Sequence, residues 1–299
     1  MALRPTAHLV DGSLYVCRAW FSQAPDVIDA DGAPAHAVHG FTRFLLDLFE
    51  RARPTHVAVA FDESLTTSFR NAIYPDYKAN RPPAPADLKR QFEGCKAIAK
   101  ALGATVLVDA HYEADDLIGS ALSALRRAGF RGVIVSADKD FGQLIEDGDE
   151  LWDPPRNQRW DCAGIKLRLG VMPHQVADYL ALMGDATDNI PGVPGIGAKT
   201  AASLLHHFGT LDALLERSDE VAFLRTRGAA AASMRLREHA ALARLSRLLT
   251  GIALDAPVPA DADMYRRRDH DADGIEVLFE RLRLGPLTRA RVRALAASA

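Results

Sequence analysis

Three short apolar runs in this chain each end at an aspartate: Leu9-Val10-Asp11, Val59-Ala60-Phe61-Asp62 and Val135-Ser136-Ala137-Asp138. Runs of β type fall at residues 8–10, 56–61, 104–108 and 132–135. Between them lie segments of helical spacing at 38–51, 88–102 and 114–127, the last placing Leu117, Ala121, Leu122 and Leu125 on one face. Strands that alternate with helices predict an α/β fold, a parallel-type central sheet flanked by helices on both faces. In such a sheet, sites gather just beyond the carboxyl ends of the strands. The aspartates therefore constrain both the fold and its chemistry.

Two further acidic groups join these three. Glu113-Ala114-Asp115-Asp116 follows the third β run and opens a helix, with Glu113 and Asp116 one turn apart and Asp115 beside them. Asp140 completes the Asp138-Lys139-Asp140 triplet, and Asp185 and Asp188 stand three apart in Gly184-Asp185-Ala186-Thr187-Asp188-Asn189. Each group alone has a structural explanation, because aspartate is common at helix starts and in turns. Nine carboxylates brought to one edge of a sheet would repel each other and be forced to protonate unless cations intervened. Oxygen-only donors, with no His or Cys in the groups, point to Mg²⁺ or Mn²⁺ rather than zinc. Two such ions close together can activate water and stabilise the leaving oxygen of a phosphodiester.

Composition sets the wider limits. The 299 residues are 48% hydrophobic and 25% charged, an ordinary globular balance for one large domain or two small ones. No apolar run is long enough to cross a bilayer, and the first residues lack the apolar core of a signal peptide. Cys17, Cys95 and Cys162 are far apart, which suits a reducing compartment and a cytoplasmic location without membrane association. A net charge of −3 looks wrong for a phosphate-binding protein, yet setting aside the nine acids leaves the remainder at +6. The stretch 66–100 is basic, with Arg70, Lys78, Arg81, Lys89, Arg90, Lys96 and Lys100 against Asp76, Asp87 and Glu93.

From about Pro173 the β signal fades into Ala-, Leu- and Arg-rich helices. The expected division is an α/β unit over 1–172 and a helical region over 173–299. Gly192-Val193-Pro194-Gly195-Ile196-Gly197-Ala198-Lys199-Thr200 joins a helix near 174–183 to one at Ala198–Phe208. Glycines here permit a tight turn and a close approach of backbone to phosphate, with Lys199 as its partner. A nucleotide-binding P-loop fails by one position, since Ala198 occupies the lysine site and a helix precedes the turn. His206-His207, Met172, Met183 and Leu204-Leu205 read as ordinary helix surface and core. The arginines Arg235, Arg237, Arg244, Arg247 and Arg266 to Arg268 suit either duplex contact or simple coverage of helix surfaces.

These groups, in this order, resemble the 5′-nuclease family, which includes the nuclease domain of bacterial DNA polymerase I, phage 5′-exonucleases and flap endonucleases. The resemblance runs from about His8 to about Pro286. It rests on Val10-Asp11-Gly12-Ser13, Ala60-Phe61-Asp62, Tyr74-Pro75-Asp76-Tyr77-Lys78-Ala79-Asn80-Arg81-Pro82, the Glu113 and Asp138 groups, and Gly184 through Gly197. It implies a PIN-like core and a structure-specific 5′-3′ exonuclease or flap endonuclease acting on DNA with 5′ ends, flaps or nicks. Asp11, Asp62, Glu113, Asp115 and Asp116 are implied to hold a first metal. Asp138, Asp140, Asp185 and Asp188 are implied to hold a second. Lys78, Arg81, Asp115 and Asp116 are assigned to the catalytic step, and Tyr77 to base or backbone contact. A mobile helical arch over about 66–102 is implied, as is a helix-hairpin-helix over about 174–208. In that element Gly192, Gly195, Gly197 and Lys199 contact DNA and K⁺ can bind the turn. Ala137 and Ala186 depart from the family pattern without removing a charge. A branched-DNA-binding module of weak activity and a PIN-like ribonuclease are the alternatives. Met1 and the lack of a polymerase region set the expectation of a stand-alone monomer.

Overall fold

The computed structural model describes residues 4–63, 66–225 and 228–297. Its centre is a six-stranded sheet of β1 (Thr6–Asp11), β2 (His56–Asp62), β3 (Thr105–Asp109), β4 (Arg131–Val135), β5 (Glu150–Asp153) and β6 (Gln158–Trp160), in the order β3-β2-β1-β4-β5-β6. The first five strands are parallel, and β6 runs antiparallel to β5 at one edge. The sheet is therefore mostly parallel rather than wholly so. The order reverses between β1 and β4, where an open α/β sheet forms its crevice.

Thirteen α-helices are assigned among the described residues. Those of the α/β region are α1 (Gly12–Ser22), α2 (His36–Ala52), α3 (Phe69–Ile73), α4 (Ala86–Ala101), α5 (Ala114–Arg127) and α6 (Cys162–Leu169). They are followed by α7 (Val176–Met183), α8 (Ala198–Phe208), α9 (Leu211–Glu216), α10 (Ala229–Glu238), α11 (Ala240–Thr250), α12 (Ala272–Arg281) and α13 (Pro286–Ala297).

Strand residues alternate between two cores. Leu9, Ala58 and Ile134 pack on α5, α7 and α8, while Val10, Val59 and Val135 pack on α1, α2 and α4. The helical region consequently splits. Helices α7 to α11 cover the first face, whereas Ile275, Phe279, Val292 and Leu295 of α12 and α13 return to the second core. Leu88, Cys95 and Ile98 of α4 are buried in that same core, so the second half of the segment read as an arch is packed structure.

The return passage is fastened by backbone. The N–H of Arg267 donates to Thr55 O at 2.7 Å and that of Arg268 to Gly103 O at 3.0 Å. Gly103 has φ +85°, and a Cβ there would lie 2.0 Å from Arg268 O. Gly103→Ala thus combines a left-handed penalty with a backbone clash, and we expect it to cost about 2 kcal/mol or more. Urea unfolding of the two proteins checks this.

Candidate metal centre

Each strand end delivers its carboxylate by a local device. Asp11 closes β1 and caps α1, with Oδ1 accepting from the Leu14 N–H at 3.0 Å and Oδ2 from Ser136 Oγ at 2.8 Å. That second bond spans the crevice between β1 and β4. Asp62 closes β2, where its N–H donates to Ser13 Oγ and its Oδ1 accepts from the Ala114 N–H, both at 2.8 Å. The sheet thereby grips the start of α5. There the carboxylate oxygens of Glu113, Asp115 and Asp116 lie within 4.8 Å of one another.

Arg70 crosses beneath this triplet, fully buried. Its guanidinium grips Asp116 with two bonds of 2.7 and 2.8 Å and Glu113 with one of 3.1 Å. Its remaining N–H groups donate to Leu249 O at 2.9 Å and Gly251 O at 2.8 Å. All five donors are used. Asp116 is equally saturated, since its oxygens also accept from the N–H groups of Glu113 (3.1 Å) and Ala253 (2.8 Å). In this conformation Asp116 holds the cluster together, while Asp115 is the less engaged acid beside it.

A second set of carboxylates lies beyond β4 and after α7. Asp138 is exposed, and its Oδ1 accepts from the Asp140 N–H at 3.0 Å. Asp140 Oδ1 is buried and accepts no hydrogen bond, although the Lys139 ammonium lies 3.3 Å from it. The same ammonium donates to Asp185 at 2.9 Å. Asp185 is set by a two-way backbone pairing with Ile190, at 2.9 and 2.8 Å.

The basic segment closes over both sets. Lys78 Nζ donates to Glu113 at 2.5 Å and stands 3.9 Å from Asp188, and Arg81 pairs with Asp188. Tyr77 is 3% exposed, its hydroxyl donating to Glu113 at 2.9 Å. The ring of the tyrosine expected to contact base or backbone is buried in this conformation, and its hydroxyl buttresses a carboxylate. The segment is clipped to the loop after α7. The Lys78 N–H donates to Asp188 O (3.0 Å), Asn189 Nδ2 to Asp76 O (2.7 Å) and Asn80 Nδ2 to Ala186 O (2.8 Å). Lys78 and Asn189 meet in this clip with left-handed φ of +54° and +57°.

The electrostatics follow from burial. Burial above all, against the Leu14 N–H and with help from Asp62, pushes Asp11 up to about 7. Burial and Asp138 push Asp140 up to about 7, despite Lys139. Asp115 is raised well above the usual carboxylate range by burial and then by Asp116. Burial would also raise Glu113 and Asp185, but Lys78 and Arg70 hold the first below its usual value and Lys139 the second. A group of oxygen donors that is costly to ionise, with one buried oxygen left without a hydrogen bond, fits hard divalent cations. Sequence reasoning missed Arg70, which figured only in a count of basic residues, and Lys139, which was quoted inside a triplet without a role. No local motif marks Arg70. An ammonium between two aspartates was the available signal for Lys139.

After α7 the chain turns through Gly184, Gly192 and Gly195 at φ of +76°, +64° and +76°. A Cβ on Gly192 would lie 2.4 Å from Gly184 N, so this pair is required by the turn itself. Gly197 differs: its φ is −95° and a Cβ there would meet nothing within 4 Å. It begins α8 beside the exposed Lys199.

Two family models match the chain: the 5′-3′ exonuclease N-terminal resolvase-like domain over residues 6–170, and the 5′-3′ exonuclease C-terminal SAM fold over 171–273. Among curated relatives, DNA polymerase I of Mycobacterium bovis is 36% identical over 284 residues, covering 93% of this chain. DNA polymerase I of Pseudomonas aeruginosa is 38% identical over 275 residues, covering 92%. The chain spans 30% of the length of each. Of solved structures, phage T5 D15 protein co-crystallised with metal ions is similar at a TM-score of 0.68 and 18% identity, covering 97% of this chain and 99% of that one. The catalytic core of Rad2 in complex with DNA substrate gives 0.65 and 14%, covering 98% and 93%. At these identities the two structures speak for the fold.

Removing Arg70 would leave Asp116 buried without its counter-charge and Glu113 with Lys78 alone. Arg70→Met is expected to destabilise the protein in EDTA by about 3–5 kcal/mol near neutral pH. Chemical denaturation in EDTA reads this directly.

Proposed function

Because the chain belongs to the 5′-3′ exonuclease family, we propose that it hydrolyses DNA phosphodiester bonds at 5′ ends, nicks and flaps as a metal-dependent nuclease. The observation that carries this reading is the gathering of oxygen donors at the carboxyl ends of β1, β2 and β4. Asp11, Asp62, Glu113, Asp115 and Asp116 would hold a first Mg²⁺ or Mn²⁺, with Asp116 acting through its neighbours. Asp138, Asp140, Asp185 and Asp188 would hold a second. When bound, two such ions supply nucleophile activation and leaving-group stabilisation.

The chain's own residues do the rest. Lys78 and Arg81 pair with Glu113 and Asp188, and on this reading they would turn to meet the charge building on a scissile phosphate. Tyr77 keeps Glu113 oriented through its hydroxyl. The α7–α8 unit acts as a helix-hairpin-helix that holds duplex backbone. Its support is Gly197, where the fold itself does not demand glycine, beside the free ammonium of Lys199. Carbonyls of the same turn would take K⁺. The arch function belongs to residues 66–85, since α4 is packed, and the working division is 1–172 and 173–299 with α12 and α13 folded back. The chain acts as a monomer in the cytoplasm. No described helix is long and apolar enough to cross a membrane.

Cleavage of a 5′-labelled flap duplex tests the reading. We expect cutting near the junction in Mg²⁺, none in EDTA, and a loss of about 10³-fold in kcat for Asp115→Asn or Asp185→Asn. These two are cleaner probes than Asp116→Asn, which would also strip the partner of Arg70. Binding without cutting in either Mg²⁺ or Mn²⁺ would leave a branched-DNA-binding module. Preferred cleavage of single-stranded RNA would favour a PIN-like ribonuclease.

The hairpin predicts a different kinetic signature. Lys199→Ala should raise KM with kcat little changed, and reduce the slope of log affinity against log salt by about 1. A fall in kcat at unchanged KM would assign the lysine to the chemistry instead.

A further inference from the structure

Arg266, Arg267 and Arg268 read in sequence as suited either to duplex contact or to coverage of helix surfaces. The structure carries them elsewhere. Their backbone is fastened to Thr55, just before β2, and to Gly103, just before β3. They therefore stand at the amino ends of the strands, about 20 Å from Asp62 by strand rise. There they line a cavity of about 930 Å³ together with Arg53 and Arg291.

The charges of this cavity are unevenly satisfied. Arg291 is held by Asp47 and Glu50, and Arg266 lies 3.7 Å from Asp263. Arg53 and Arg268 are exposed and have no ion pair among the described residues. Arg267 is half-buried with its guanidinium 4.6 Å over the Phe49 ring and its Nε donating to Leu102 O at 3.5 Å, and it too has no ion pair among the described residues. Burial lowers its proton affinity and Asp269 only partly compensates. Five arginines line the cavity with three carboxylates, Glu50, Asp263 and Asp269, and Asp47 beside it takes up part of the charge of Arg291.

We propose that this cavity is a second anion site, binding phosphate groups through Arg53, Arg267 and Arg268 independently of the carboxylate centre. Guanidinium forks match phosphate oxygens in pairs, and a backbone fastened at Thr55 and Gly103 leaves only side-chain ordering to be met on binding. The phosphates could belong to a nucleic-acid strand passing behind the sheet or to a free polyphosphate. The proposal does not rest on the nuclease reading, because neither source requires bond cleavage.

The test uses the full chain in EDTA, which removes any metal-dependent cleavage, with two probes: inorganic triphosphate and a fluorescent ten-nucleotide single-stranded DNA. The variant is Arg53→Asn with Arg268→Gln. Asn tolerates the left-handed φ of +43° at position 53, and both side chains are exposed, so the fold should be unaffected. A loss of at least tenfold in triphosphate affinity, with the oligonucleotide unchanged, supports the site and assigns it to free polyphosphate. A fall in oligonucleotide affinity with a salt slope reduced by about 1–2 supports the site and assigns it to a strand. Failure of the unmutated chain to bind either probe, or equal binding by the variant to both, overturns the proposal.

Discussion

The structure is organised around the repulsion among carboxylates at one edge of its sheet. Parallel strands that end in aspartate place negative charge side by side, at a depth where water screens little. The fold answers with internal cations. Arg70 lies under Glu113 and Asp116, Lys78 over Glu113, Arg81 against Asp188, and Lys139 between Asp140 and Asp185. Their efficiency differs. Where a cation touches directly, as at Glu113 and Asp185, the acid is held in its charged form. Where burial outruns compensation, at Asp11 with hydrogen bonds alone and at Asp140 despite Lys139, the carboxyl is pushed up to about 7. These latter positions are the ones a divalent ion would relieve most.

The cations also tie distant segments together. Arg70 belongs to α3, yet two of its bonds reach carbonyls at the end of α11. Lys78 and Arg81 belong to the segment between α3 and α4, yet Asp188 lies in the loop after α7. The reciprocal bonds of Asn80 and Asn189 complete the same junction with neutral groups. Charge compensation and tertiary assembly are thus one set of contacts. A shift of the loop that carries Asp185 and Asp188 must move Lys78, and with it the environment of Glu113.

Much of this was legible in the sequence because it is periodic or local. The four expected strands and the helices α2, α4, α5 and α8 follow from alternating apolar runs, and the aspartates at strand ends announced the crevice. Strands β5 and β6 went unread: Leu151-Trp152-Asp153 is a short run, and β6 exposes most of its residues, leaving no apolar alternation to detect. The fold-back of α12 and α13 is a long-range event signalled only by ordinary amphipathic spacing. Within the site, residue type was visible and partnership was not. Tyr77 was assigned to base or backbone contact because nothing local reveals that its hydroxyl reaches Glu113, 36 positions away. Arg70 was invisible for the same reason.

The sheet has a polarity that the net charge of −3 conceals. Every parallel strand starts at one end of the molecule and finishes at the other, so residues before and after the strands are sorted to opposite poles. Aspartates close β1, β2, β3 and β5, and an Asp-Lys-Asp triplet begins after a two-residue gap beyond β4. Arg53 precedes β2, and the Arg266–Arg268 run is tied to the residues before β2 and β3. The acidic pole can accept anionic substrate only with cations supplied. The basic pole needs none, which is why the two ends can serve phosphate in chemically different ways on one framework.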